Sequence, residues 1–88
     1  MELTQHAIDR ATQRAVPWNV VSTIYAYGSP SFHRGALALR LDREALELAR
    51  DDLPSADASE LDRYRGLYIV VADITVLTVA RPSRRRRN

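Results

Sequence analysis

Apolar residues recur three and four positions apart in the first third of this chain, and crowd into short β-branched runs near its end. Leu3-Thr4-Gln5-His6-Ala7-Ile8 reads as a helix start with Thr4 as N-cap. Leu3 and Ile8 then fall at the two hydrophobic-staple positions. At about 100° per residue, Thr4, Ile8, Ala11 and Ala15 gather on one face of that helix. His6, Arg10 and Arg14 form a stripe beside it, each roughly 40° further round than the last. Val16-Pro17-Trp18 ends this helix and begins another, with Pro17 suited to its first position. Val20, Val21, Ile24 and Tyr25 supply the second helix's apolar face, and Gly28-Ser29-Pro30 stops it. The Gly-Ser-Pro-Ser run is expected to be a loop as far as His33.

The rhythm then changes. Gly35 to Leu41 is compatible with a strand, and Asp42 looks like the N-cap of a short third helix, with Glu44 and Arg50 placed to suit its dipole. Leu53-Pro54 ends that helix, and the small acidic residues 54–62 read as a surface loop. Gly66 to Ala72 and Ile74 to Ala80 are the strongest strand signals. They predict an antiparallel hairpin turning near Ala72-Asp73, or else one long strand. Both faces of these runs are apolar enough that helices should cover at least one. The expected class is α+β: two N-terminal helices packed on a small antiparallel sheet, with a short third helix between the first and second strands. Residues 1–82 form the domain, and 83–88 a basic tail.

Eighty-eight residues allow one domain near the lower size limit for an unaided core. With no cysteine, neither disulfides nor thiolate metal sites can help. No secretory leader and no membrane-spanning apolar run is evident, so a cytoplasmic protein is expected. Charge is strongly polarised: residues 1–41 carry +2, residues 42–62 carry −6, and residues 63–88 carry +6. Residues 1–80 hold eight arginines against eleven acids, which argues against a protein that coats nucleic acid broadly. It leaves room for a local basic site or charge-steered docking. Every basic residue is arginine, as bidentate phosphate contacts or a GC-rich genome would produce, and a catalytic lysine is excluded.

Thr4-x-His6-Ala7-x-x-Arg10-x-x-x-Arg14 followed by Val16-Pro17 resembles the opening T-x-H-A-x-x-R-x-x-x-R-G-I of a family of small bacterial domains. Gly66-Leu67-Tyr68-Ile69-Val70-Val71 and Leu77-Thr78-Val79-Ala80-Arg81 resemble that family's closing strands. The likeness covers nearly the whole chain, with Ala15 standing in place of glycine and Ala80 in place of a frequent tyrosine. Such domains are grouped with the RelE, BrnT and colicin-type nucleases. The resemblance implies one or two helices on a curved antiparallel sheet, a toxin-type endoribonuclease activity, and a cognate antitoxin as partner.

Metal-independent RNA cleavage needs a base, an acid and cations around the phosphorane. His6 is the best candidate for proton transfer, because imidazole is the side chain suited to it near neutral pH. Arg10 and Arg14 would hold the phosphate, with Arg81 assisting. The bland reading of the same stripe is local capping by His6 and helix solvation by the arginines. His33, Arg34, Thr78 and the tail residues Arg84, Arg85, Arg86 and Arg87 are candidate RNA contacts; a lone loop histidine is more often simply exposed, and a strand threonine more often an ordinary one. The tail could instead dock an acidic partner or contact the acids of 42–62, within one chain or across a homodimer. Tyr25, Tyr27, Tyr64, Tyr68 and Trp18 are spaced as core and boundary aromatics rather than as a base-stacking platform. No cofactor or metal motif is present. The rival function is a non-catalytic module binding RNA or protein. A helix-turn-helix is a weaker alternative, since the second helix is too apolar to read base edges.

Overall fold

The computed structural model describes residues 1–33 and 35–82, without the side chains of residues 33 and 55–57. The elements are β1 (Glu2–Leu3), α1 (Gln5–Gln13), α2 (Trp18–Tyr27), β2 (Ser29–His33), β3 (Ala36–Arg40), α3 (Arg43–Asp52), α4 (Ser55–Leu61), a 3-10 turn (Asp62–Tyr64), β4 (Tyr68–Ala72) and β5 (Thr75–Ala80). The class is α+β, with the strands ordered β1-β5-β4-β3-β2 in one sheet. Every neighbouring pair is antiparallel except β1, which lies parallel to β5. The sheet is therefore mixed, where an antiparallel one was expected. Two residues are too few to show a periodicity, so β1 left no mark in the pattern.

Three other expectations need correction. The Ser29–His33 segment is the edge strand β2 rather than a loop. Pro30 is tolerated there because an edge strand has a side on which no N–H is needed. Residues 55–61 form α4 rather than a loop, with Ala58 and Leu61 buried against the core side. With no side-chain cap and so few apolar residues, that helix depends on packing more than on local propensity. The third helix consequently lies between β3 and β4, the third and fourth strands in chain order, and a fourth helix follows it.

Thr4 caps α1 as the sequence suggests: its Oγ1 accepts from the Ala7 amide at 3.0 Å. The same hydroxyl donates to the Leu77 carbonyl at 3.0 Å, which ties the helix start to β5. The buried face of α1 is Ala7 and Ala11, whereas Ile8 is 44% exposed, so the expected stripe is rotated and Ile8 does not act as a buried staple. The helix ends with Ala15 in the left-handed region at φ +54. The Val16 amide bonds the Ala11 carbonyl at 2.8 Å and the Ala15 amide bonds the Thr12 carbonyl at 3.1 Å. These two bonds are those of a Schellman motif, whose left-handed position favours glycine.

Gly28 stops α2 for a different reason. Its φ of −57 suits any residue, but a Cβ would lie 2.5 Å from the Ile24 carbonyl oxygen and 2.8 Å from the Leu39 Cβ. The glycine lets the end of α2 approach β3. Asp42 then caps α3, its Oδ1 accepting from the Ala45 amide at 3.0 Å and from the Ser29 hydroxyl at 2.7 Å. One carboxylate thus fixes the start of α3 and the start of β2.

β4 and β5 form a hairpin, with Ala72 opposite Thr75 and Asp73 at φ +54 supplying the backbone freedom of the missing glycine. The register shifts beside Val70 and Val71, leaving Leu77 as the extra residue of a β-bulge in β5. The bulge allows Val76 and Val79, three apart, both to point into the core. With Ile24, Leu41, Leu67 and Ile69 they are fully buried, and each such side chain contributes about 1.5–3 kcal/mol by leaving water. Among the described residues, no helix is long and apolar enough to cross a membrane.

Candidate functional site

Cross-strand pairing sorts the sheet's side chains onto two faces. Leu39, Ile69 and Val79 stand in one row, all buried in the core that also contains Ala7 and Ala11 of α1 and Val20, Val21 and Ile24 of α2. The neighbouring rows lie on the other face, because successive strand residues alternate. One holds Ser31, Ala38, Val70 and Thr78; the next holds Ser29, Arg40, Tyr68 and Ala80. This second face is uncovered along a shallow depression of about 440 Å³ lined by Ser31, Phe32, Ala36, Ala38, Arg40, Tyr68 and Val70.

Part of the depression's floor is low because Ala36 and Ala38 carry only methyl groups. At its charged end the Arg40 guanidinium lies over the Tyr68 ring, 5.6 Å from the centroid, a cation–π contact between directly paired residues. Arg81 follows immediately after Ala80, and its guanidinium donates to the Arg65 carbonyl at 3.3 Å. Arg40, Arg65 and Arg81 thus flank the same end of the sheet.

His6 and Arg10 on α1, and Arg14 at its C-cap, are all exposed, and α1 packs on the opposite face. Arg10 reaches Gln13 Oε1 at 3.4 Å, and among the described residues no side-chain hydrogen bond is made by His6. The five candidates with described side chains do not converge: Thr78 lies on the open face, Arg81 at its end, and His6, Arg10 and Arg14 on the helical side. His33 is a backbone partner of Ala36 in β2 rather than a loop residue. Arg34 and Arg84, Arg85, Arg86 and Arg87 lie outside the described residues.

Arg40 and Tyr68 were missed as a pair. The alternation Leu37-Ala38-Leu39-Arg40-Leu41 puts Ala38 and Arg40 on one face, but only the β3–β4 register reveals Tyr68 opposite Arg40. Trp18, expected as a core or boundary aromatic, is 60% exposed at the start of α2.

Charge is divided in space as well as along the chain. Among the described residues two ion pairs form, Arg50–Asp62 at 2.7 Å and Arg43–Glu47 at 3.6 Å, and both belong to the α3–α4 side. Arg10, Arg14, Arg40, Arg63, Arg65 and Arg81 are exposed and form no ion pair with the described residues. The Asp42 carboxyl is held below its usual range. The Ala45 amide is the main cause, with smaller help from Ser29 and from Arg40 itself. Tyr27 is the other shifted group: its hydroxyl donates to Asp52 at 2.8 Å, which pushes its pKa up. Among the described residues no group of three or more metal-ligating side chains occurs.

Comparison of the chain with protein-family profiles, with curated proteins and with solved structures found no match in any of the three.

Proposed function

We propose that this chain binds RNA, as a relative of the toxin-type ribonucleases that its opening and closing motifs resemble. The observation that carries the reading is the division of the arginines. The two on α3, Arg43 and Arg50, form salt bridges with acids, whereas Arg63, those of the α1 segment and those at the open end of the sheet form no salt bridge with the described residues. Unpaired guanidinium groups are available to phosphates, and neutralising phosphates releases counterions and drives binding. Binding is better supported than cleavage, because a general base is ordinarily oriented by a second group and the proposed phosphate ligands are spread over two faces.

Endonucleolytic cleavage is the second reading, favoured by His6 and Arg10 one turn apart on the same exposed flank. In it His6 moves the proton and Arg10, Arg14 and Arg81 stabilise the phosphorane. A cytoplasmic setting and an antitoxin or homodimer partner belong to this same family reading.

One experiment separates the two. Wild type, His6→Ala and Arg10→Ala are incubated with structured and unstructured RNA in EDTA, with and without ribosomes, and scored for retention and for 2′,3′-cyclic phosphate ends. Retention without cleavage supports the binding module. Cleavage lost in both variants while their folds persist establishes the nuclease instead. Neither retention nor cleavage removes RNA from the account.

A further inference from the structure

We infer that the open face of the sheet holds one unpaired base of single-stranded RNA at Tyr68, with Arg40 on a flanking phosphate. The inference rests on the RNA reading above and gives it a place and a substrate form.

Four observations converge on this spot. The depression has room for a base, because Ala36 and Ala38 beside Val70 carry only methyl groups and Ala80 stands beside Tyr68 in the next strand. Tyr68 is only half-buried, so part of its ring faces this opening. Arg40 extends over that ring while remaining exposed, so the aromatic and the cation are presented together. Among the described residues, no acidic side chain lines the depression. The hydroxyls of Ser31 and Thr78, which lie in the adjacent row, can donate to or accept from base edges or a ribose 2′-hydroxyl.

The combination points to an unpaired base for physical reasons. Stacking on an aromatic ring needs an exposed base face, which a duplex interior withholds. A flat β-surface offers no ridge to enter a groove of double-stranded RNA. The guanidinium that lies over the ring moves off its face when a base stacks there, and is then placed to pair with the adjoining phosphate. Stacking on Tyr68, with the exposed Phe32 lining the same depression, accepts any base, so the expected sequence preference is weak and the expected preference for single strands is strong.

The test measures anisotropy of a short, labelled, unstructured oligoribonucleotide, with the same sequence as a duplex for comparison. The proteins are wild type, Tyr68→Phe, Tyr68→Leu, Arg40→Ala and Ala38→Glu, each checked for wild-type circular dichroism. Single strand is expected to bind more tightly than duplex. Tyr68→Leu should lose about tenfold or more, and Tyr68→Phe should stay within about twofold of wild type, since only the ring is needed. Ala38→Glu, which sets a carboxylate on the floor, should abolish binding even if Tyr68→Leu fails to fold. Wild-type affinity in the folded Tyr68→Leu, Arg40→Ala and Ala38→Glu proteins would overturn this site and leave RNA binding standing. Equal affinity for duplex would also overturn it. Binding of neither RNA by wild type would overturn the site and the RNA reading together.

Discussion

Ala15→Gly should make this protein more stable, although it removes a methyl group. Ala15 is exposed, so its Cβ buries almost nothing, yet it sits at φ +54 at the end of α1. A left-handed conformation costs an L-residue roughly 1–2 kcal/mol that glycine avoids. Glycine in turn gives the unfolded chain more freedom, which works against folding by about 0.4–1 kcal/mol. The balance favours the variant by about 0.5–1 kcal/mol. For a domain of this size 1 kcal/mol moves Tm by about 4–8 °C, so a rise of roughly 2–8 °C is expected. Urea and thermal denaturation followed by far-UV circular dichroism at pH 7 would measure it. Ala11→Gly is the control: Ala11 is helical and buried, so the same chemical change should cost about 1 kcal/mol. A Tm for Ala15→Gly at or below wild type would refute the argument that Ala15 stores backbone strain. The position is also where the resembled motif carries glycine, so the departure from that motif has a physical cost at this site.

Asp42→Ala should lose about 1–2 kcal/mol in urea denaturation at pH 7, since it removes the α3 cap and the partner of Ser29. Because folding lowers the Asp42 pKa, the folded state prefers the ionised carboxylate. Its contribution is complete above about pH 4 and is lost as pH falls through the folded value. The gap between wild type and Asp42→Ala should therefore narrow on acidification, and a gap independent of pH would contradict that. Gly28→Ala should destabilise by about 1–3 kcal/mol, read as a lower urea midpoint, because its Cβ meets a backbone oxygen and another Cβ rather than a flexible side-chain end. Thr4→Val keeps the shape but removes both hydroxyl bonds; about 1 kcal/mol should be lost, and amide exchange should quicken in the first turn of α1.

Local chemistry was legible in the sequence wherever one residue type does the job alone. Thr4 and Asp42 announce their caps because a short side-chain oxygen before an apolar-periodic run has few other uses. The two closing runs announced strands through β-branched density, and their hairpin followed. What was not legible depends on partners distant in the chain. β1 exists because Glu2 and Thr4 amides find the Ile74 and Val76 carbonyls, at 2.9 and 3.0 Å. β2 contains Pro30 and small polar residues that look like loop until β3 pairs with them. The bulge at Leu77 breaks strict alternation and reverses the face that a two-residue period assigns to one side of it. The sheet face follows the same rule. His6, Arg10 and Arg14 stood out because helical spacing groups them within one element. Arg40 and Tyr68, separated by 28 positions, are joined only by register.

The most direct test of the account is the salt dependence of single-stranded RNA affinity, comparing wild type, Arg40→Ala/Arg81→Ala and Arg43→Ala/Arg50→Ala. The first double variant removes arginines at the open end of the sheet that form no ion pair with the described residues; the second removes Arg43 and Arg50, which do form ion pairs. Each phosphate contact of a single strand contributes about 0.7 to the slope of log affinity against log salt. The account predicts that Arg40→Ala/Arg81→Ala weakens binding and flattens the slope by roughly 1.4, while Arg43→Ala/Arg50→Ala leaves the slope unchanged. Equal slopes in all three proteins, or a flatter slope only in the ion-paired variant, would contradict it.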